Sequence, residues 1–536
     1  MNTFSLLGGI ADIGALDWFV CLGYLLLVVS LGLWFSHDQS SNDDFFLGGR
    51  NMHWMPVGLS LFATTMSSNS FVGLPAEGAF GNYHQLLAIL FIPFVIIPIV
   101  CYWFIPFYKR MGSVSLYEYL ERRFNRKVRL FASGVFMFYS AGWMATMLLA
   151  VSRILEVVLE TDSSTDVILM IVVVGALATL YTAVGGVKAV IWTDTIQAFA
   201  LGGGLFVLLF YIVSQIDGGW SGMFARGVEA DKFEMFATSG GWGERNVYSA
   251  CAYGFVIYLG GQIATYGGFQ RYVTVDTISD ARRSLYVKGL FTLFACTLFF
   301  LVGTALYVFY QQSTETLELF DAMAVGKAKD QLLPHFVVYY AKGFGMTGLL
   351  LAGLFAAAMS SLDSGINSMT ASFVTDWRNG KEVGVRANRI ITFVFGVIVT
   401  TAAVILVHVD SPVFDILLAI AGASFGLLLS VLLLGMFCSR ANVVGVSAGM
   451  TAGVAVFCFI RLYTKFASDD ALRWLGSFAE IKNNTWWDGL FTTVAAMAVG
   501  LCVSYLTKPP PVEKLGDLLL LTERRSHQKR CMKNIR

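Results

Sequence analysis

The chain has 536 residues, 56% of them apolar and 14% aromatic, with only 14% charged and a formal net charge of +1. With a mean hydropathy of +0.66, it has too little polar surface for a soluble domain, and a lipid bilayer is its expected surrounding. Its Lys and Arg sit in short clusters between apolar runs, which excludes a nucleic-acid surface.

A bilayer core of about 30 Å needs about 20 apolar residues in a helix. Thirteen runs of that kind lie near 16–35, 54–80, 84–108, 128–158, 166–184, 189–214, 246–269, 284–310, 335–374, 389–408, 412–437, 441–464 and 485–506. Residues 1–17 carry no basic n-region, so the first run is read as a retained span rather than a cleaved signal. The eight cysteines, among them Cys101, Cys251, Cys296, Cys438 and Cys502, lack paired or metal-ligand spacing and read as small core residues.

Alternate connections carry the basic residues, as the positive-inside rule requires of cytoplasmic loops. Lys109, Arg110, Arg122, Arg123, Arg126, Lys127 and Arg129 follow the third run; Arg271, Arg282, Arg283 and Lys288 follow the seventh; Arg378, Lys381, Arg386 and Arg389 follow the ninth. The tail adds Arg524, Arg525, Lys529, Arg530, Lys533 and Arg536, whereas loops such as 160–166 and 310–334 are acidic or mixed. The expected topology is an outside N-terminus and a cytoplasmic C-terminus. Asn483-Asn484-Thr485 would then be a glycosylation sequon on an outside loop, with meaning only in a glycosylating host.

Two runs are interrupted by polar residues. The second reads Phe62-Ala63-Thr64-Thr65-Met66-Ser67-Ser68-Asn69-Ser70-Phe71, then Gly73 and Pro75. A broken helix survives at membrane depth only where its freed backbone groups line a protein cavity, the arrangement by which transporters bind ions and substrate. The alternative is a helix-helix contact lined with small residues. The ninth run holds Ala357-Ala358-Met359-Ser360-Ser361-Leu362-Asp363-Ser364, then Asn367 and Ser368. At helical spacing Ala357, Ser360, Ser361 and Ser364 share a face, and Ser360, Asp363 and Ser364 share an overlapping one. Hydroxyl and carboxylate oxygens so gathered suit a hard cation such as sodium, and a carboxylate in the membrane needs something to compensate it. Asp363 is alternatively a capping residue nearer the cytoplasmic end.

These stretches bring a resemblance. The chain from about Asp17 to Leu506 resembles the sodium/solute symporter family, which includes sodium/glucose, sialic acid, proline, monocarboxylate and iodide transporters. The residues that carry it are Asp43-Asp44-Phe45-Phe46-Leu47-Gly48-Gly49-Arg50, Thr182-Ala183-Val184-Gly185-Gly186 with Ile191-Trp192-Thr193-Asp194, Phe269-Gln270-Arg271-Tyr272, and the Ser360-Ser361 stretch. The family implies an all-α, leucine-transporter type fold with two inverted five-helix repeats. The organisation expected here is a leading helix and cytoplasmic linker (1–53), a first repeat (54–214), an extracytoplasmic loop (215–245), a second repeat (246–437), two trailing helices (438–506) and a basic cytoplasmic tail (507–536).

Carried over by motif, the resemblance implies a main sodium site formed by the carbonyls of Ala63, Met66 and Ala357 with the hydroxyls of Ser360 and Ser361. Some relatives have a second sodium site, here Asp194 with Ser360 and Ser364; at 363 those relatives carry a hydroxyl and this chain an Asp. A second cation at Asp194, Asp363 and Ser364 is the corresponding expectation.

For the solute, Thr65, Ser67, Asn69 and Ser70 of the broken run, with Tyr258 and Gln262 of the seventh, offer hydroxyls and amides for a polyhydroxylated molecule, with an aromatic ring to stack on. Sialic acid transporters hold their substrate's carboxylate with an Arg in the fourth span; Gly142-Trp143 stands at the matching position and disfavours such an anion, leaving Trp143 as a candidate contact. Leu74-Pro75-Ala76-Glu77-Gly78 resembles the monocarboxylate, vitamin and iodide branch, and free N–H groups at a broken helix bind anions unaided. A sugar or sugar derivative imported with sodium is the preferred reading; a small carboxylate or other anion is the alternative, with a sodium channel or solute sensor behind it. Two polar breaks in corresponding parts of an inverted repeat speak for alternating access over a channel. Gly422-Ala423-Ser424-Phe425-Gly426 matches a hydrolase elbow but lies within an apolar helix, and the six histidines lack metal spacing, so an enzyme is not expected.

Overall fold

The computed structural model describes residues 14–36, 52–112, 115–161, 163–341, 345–378, 384–463, 473–511 and 514–520. The expected motif at 43–50, Lys381 and the basic tail beyond 520 lie outside them. Among the described residues every regular element is helical. The main ones are α1 (Ala15–Ser36), α2 (Trp54–Thr65), α3 (Ser68–Phe80), α4 (His84–Met111), α5 (Arg126–Val158), α6 (Ser164–Ser214) and α7 (Val247–Ile263). They continue with α8 (Tyr266–Val273), α9 (Ile278–Tyr310), α10 (Met346–Ser372), α11 (Val385–Leu406), α12 (Val413–Phe437), α13 (Val443–Cys458) and α14 (Asp488–Leu506).

Each of the thirteen expected runs falls on a helix or a helix pair. Among the described residues nine helical runs are long and apolar enough to cross a membrane on their own, and α7 with α8 makes a tenth. The other three runs are α1, the pair α2–α3, and the stretch Ser164–Leu180, whose neighbour Ile191–Ser214 lies in the same helical run α6. One boundary differs clearly. The ninth run, expected over 335–374, is two helices: Leu332–Tyr340 is short and separate, and α10 starts only at Met346, after Gly345 takes the left-handed conformation (φ 72°) that glycine adopts at no steric cost.

Among the described residues two further runs are broken at membrane depth. Between α2 and α3, Met66 (φ −85°, ψ 103°) and Ser67 (φ −113°, ψ 175°) are extended. Between α7 and α8, Thr265 is extended (φ −96°, ψ 140°) and the axis turns by 59°. The polar stretch of the ninth run does not break: α10 is continuous through Ala357–Ser368, numbered within Met346–Ser372. The expectation of a second break there is corrected to the seventh run. The reason is chemical. Ser368 Oγ in α10 only returns to Ser364 O of its own helix (2.7 Å), whereas Thr265 Oγ1 serves two helices, donating to Gly261 O of α7 (2.8 Å) and accepting from Gly268 N–H to cap α8 (3.3 Å).

In α4, prolines 93, 98 and 106 remove backbone donors, and two π-turns, Ile92–Ile96 and Val100–Phe104, absorb the mismatch without ending the run. The broken pair α2–α3 packs along α9 and lies against α6, α10 and α5. Close approach is possible because Gly78 faces α9, where a Cβ would come within 2.7 Å of Phe300 O. α12 packs on α5 and α14, and α13 on α14.

Candidate functional site

The break in α2 strips its last turn of helical partners. Met66 N–H still reaches Phe62 O (2.9 Å), but Ser67 N–H turns to Ser70 Oγ (3.4 Å) and Ser70 N–H pairs with Ser67 O (2.8 Å). The carbonyls of Ala63 and Met66 are thereby passed over, at a helix end where the backbone dipoles present negative charge. α10 brings hydroxyls to this end of α2. Ser360 Oγ lies 3.2 Å from Ala63 O and 3.2 Å from Ala357 O, and Ser361 Oγ donates to Thr64 O at 3.0 Å. Ala63, Met66, Ala357, Ser360 and Ser361 are all buried. Four of the five residues expected at the main ion site therefore form one cluster of neutral oxygens, with Met66 at its edge on the break.

One turn earlier on α2, the surroundings are charged. Asp194 of α6, fully buried, accepts from Ser60 Oγ at 2.6 Å, and Arg271 of α8 reaches the same oxygen at 3.6 Å. Arg271 also donates to Ser60 Oγ (3.2 Å), Thr64 Oγ1 (3.0 Å) and Ser364 Oγ (2.6 Å). Asp194 and Ser364 thus come together through a guanidinium. Asp363, one residue away, faces elsewhere and accepts from Thr182 of α6. The sequence marked Asp194, Asp363 and Ser364 but treated Arg271 as a loop charge; its place in Phe269-Gln270-Arg271-Tyr272 was the available signal.

Beside both clusters opens a cavity whose empty space, open solvent at its mouth included, is about 1290 Å³. Thr65, Ser67, Ser70, Trp143, Tyr258 and Gln262 line it. Asn69 does not: its amide donates to Thr146 Oγ1 (2.9 Å) and braces α3 to α5. On a helix begun at Ser68, Asn69 points away from the face of Ser67 and Ser70, a phase fixed only by where the break falls. Thr65 Oγ1 is partly spent on Leu61 O (2.8 Å), and Gln262 Oε1 accepts from Tyr272 (2.9 Å). Aromatic walls stand opposite, with Trp143 stacked on Tyr139 (5.8 Å between centroids) and Tyr139 against Phe425 (4.4 Å). Gln85, Lys288 and Thr292 also line the cavity and were not expected there. Glu77 of the Leu74–Gly78 motif pairs with Arg245, which holds Asp415 of α12 at 2.9 Å.

A family model described as the sodium:solute symporter family matches residues 45–453. The chain belongs to that family. It is a multi-pass membrane transporter coupled to sodium, not an enzyme. It is 31% identical over 470 residues to the sodium/sialic acid symporter SiaT of Proteus mirabilis, covering 85% of this chain and 91% of that protein. It is 27% identical over 478 residues to the sodium/glucose cotransporter of Vibrio parahaemolyticus (83% and 85%). A solved Na+-coupled sialic acid symporter, in a substrate-bound outward-open state, superposes with a TM-score of 0.79 at 28% identity over 93% of this chain and 99% of that one. The fold is therefore of the leucine-transporter type.

Proposed function

We propose that this symporter imports a small polar solute, a sugar derivative, by alternating access around the cavity between the broken helices α2–α3 and α7–α8. The observation that carries this is the convergence of the orphaned carbonyl of Ala63 with Ser360 and Ser361 beside a cavity walled by Ser67, Ser70 and Trp143. Sodium takes the Ala63, Met66, Ala357, Ser360 and Ser361 oxygens; filling them ties α10 to the last turn of α2, and so sets the solute wall of the same helix pair. A second sodium at Asp194 and Ser364 would have to displace Arg271. The inverted repeats over 54–214 and 246–437 supply the two halves that rock about this centre, with the N-terminus outside and the C-terminus cytoplasmic, as the basic loops suggest. The sialic acid relatives support the sugar-derivative class.

One sodium falling through about 100 mV yields roughly 2.3 kcal/mol, and a tenfold gradient adds roughly 1.4, enough for accumulation on the order of several hundredfold. The test is uptake into proteoliposomes: saturable, sodium-dependent accumulation above the outside concentration is expected. Solute flux that only equilibrates would mean a channel, and binding without flux a sensor.

A further inference from the structure

Among the described residues two side chains carry charge on the cavity wall, Arg271 and Lys288, and no carboxylate lines it. Arg271 is fully engaged by Asp194, Ser60, Thr64 and Ser364. Lys288 is not. It is 6% exposed, and among the described residues no hydrogen bond or ion pair holds it. It lies ten residues, about 15 Å, into α9 from Ile278, too deep for its ammonium to be a loop charge.

Its neighbours are equally unspent. Lys288, Thr292 and Cys296 recur every four residues and all face the cavity. Among the described residues Thr292 Oγ1 is buried without a partner, and so is Gln85 Oε1, which lines the same cavity. A threonine in a helix ordinarily satisfies its hydroxyl on the carbonyl four residues back; Thr292 leaves its hydroxyl free for something in the cavity. An ammonium buried without a counterion is costly, and a ligand that brings the opposite charge offsets that cost.

We propose that Lys288 is the anion receptor of this cavity, so that the solute carried with sodium is a carboxylate of the sugar-acid class, its carboxyl group on Lys288 and Thr292 and its hydroxyls toward Ser67, Ser70 and Gln262. This rests on the reading of the cavity as the solute site. It also revises the expectation drawn from Gly142-Trp143: the positive charge is present, on α9 instead of α5. The aromatic wall of Tyr139 and Trp143 stands where an uncharged face of the solute packs.

The test compares matched acids and esters on the purified full-length protein. Thermal shifts are measured with N-acetylneuraminate and D-glucuronate and with their methyl esters, each with and without sodium. At least one acid is expected to stabilise the protein in sodium and to bind about tenfold or more tighter than its ester. Lys288→Gln should bring acid and ester level while leaving the shift from sodium alone unchanged, and Lys288→Arg should keep the preference. Lys288→Met should raise the melting temperature of the solute-free protein, since it removes an unpaired buried charge, a result that also shows the variant is folded. The proposal is overturned if acid and ester bind equally to the unaltered chain, if Lys288→Gln keeps the preference, or if neither acid binds while sodium alone still stabilises. Loss of the sodium shift in the unaltered chain would instead strike the ion site on which the function rests.

Discussion

The oxygens around Ala63 and those around Asp194 lie one turn apart on α2, yet they are built from opposite materials. Ala63, Ala357, Ser360 and Ser361 offer carbonyls and hydroxyls, and among the described residues they draw no cation from the protein itself. Asp194 offers a carboxylate, and Arg271 has come to meet it. At Asp194 the fold supplies the counterion that offsets a buried charge, whereas neutral oxygens at a helix end can be left partly satisfied, keeping their negative potential for a mobile ion. The cluster with less formal charge is therefore the better seat for exchangeable sodium.

The largest effect should come from removing the resident cation. Arg271→Gln leaves Asp194 buried beside only hydroxyls and should cost about 3–5 kcal/mol, read from thermal unfolding in potassium. In sodium the loss should be smaller, because the ion can then enter beside Asp194. An equal loss in both salts would break the contrast by showing that the carboxylate cluster has no affinity for sodium even when vacated.

A carboxylate outside the membrane-spanning helices gives a control. Asp330, in the turn Gly326–Gln331, caps α12 by accepting Val413 N–H at 3.0 Å, and burial pushes its pKa up to about 7 despite that bond. The folded state holds its proton more tightly than the unfolded chain, so its contribution to stability is greatest below about pH 4 and is lost as pH rises through about 7. Asp330→Asn, which keeps an acceptor for Val413, should flatten that part of the decline, by a few kcal/mol at pH 8. An unchanged pH profile of the melting temperature would mean that Asp330 is charged in the fold and has found a cation.

Smaller effects are expected at the neutral cluster. Ser360→Ala or Ser361→Ala removes one hydroxyl oxygen and should raise the sodium concentration for half-maximal uptake about tenfold, with folding intact. Unchanged sodium dependence in both variants would remove these residues from the ion site. The smallest change is expected at Asp363, which is turned toward Thr182 and away from Arg271: Asp363→Asn should leave the sodium Hill coefficient as it is. A fall toward one would place a second sodium between Asp363 and Asp194 and reverse the contrast.

The sequence by itself determined the bilayer, the thirteen runs, the break near Ser67 and the hydroxyls at Ser360 and Ser361. Those are statements about apolar length, local backbone chemistry and helical spacing, which neighbouring residues dictate. Tertiary structure decided the rest. Whether Asn69 faces the cavity depends on the phase of a helix that restarts at Ser68. Whether the second break falls at Thr265 or in α10 depends on which hydroxyl caps a new helix, as Thr265 does for Gly268 N–H. Arg271 and Lys288 read in the sequence as members of a basic loop cluster, because the positive-inside pattern is blind to direction. One closes on Asp194, 77 residues earlier in the chain, and the other faces the cavity. Long-range charge pairing is not written in local sequence, since a buried charge is governed by what the fold packs against it.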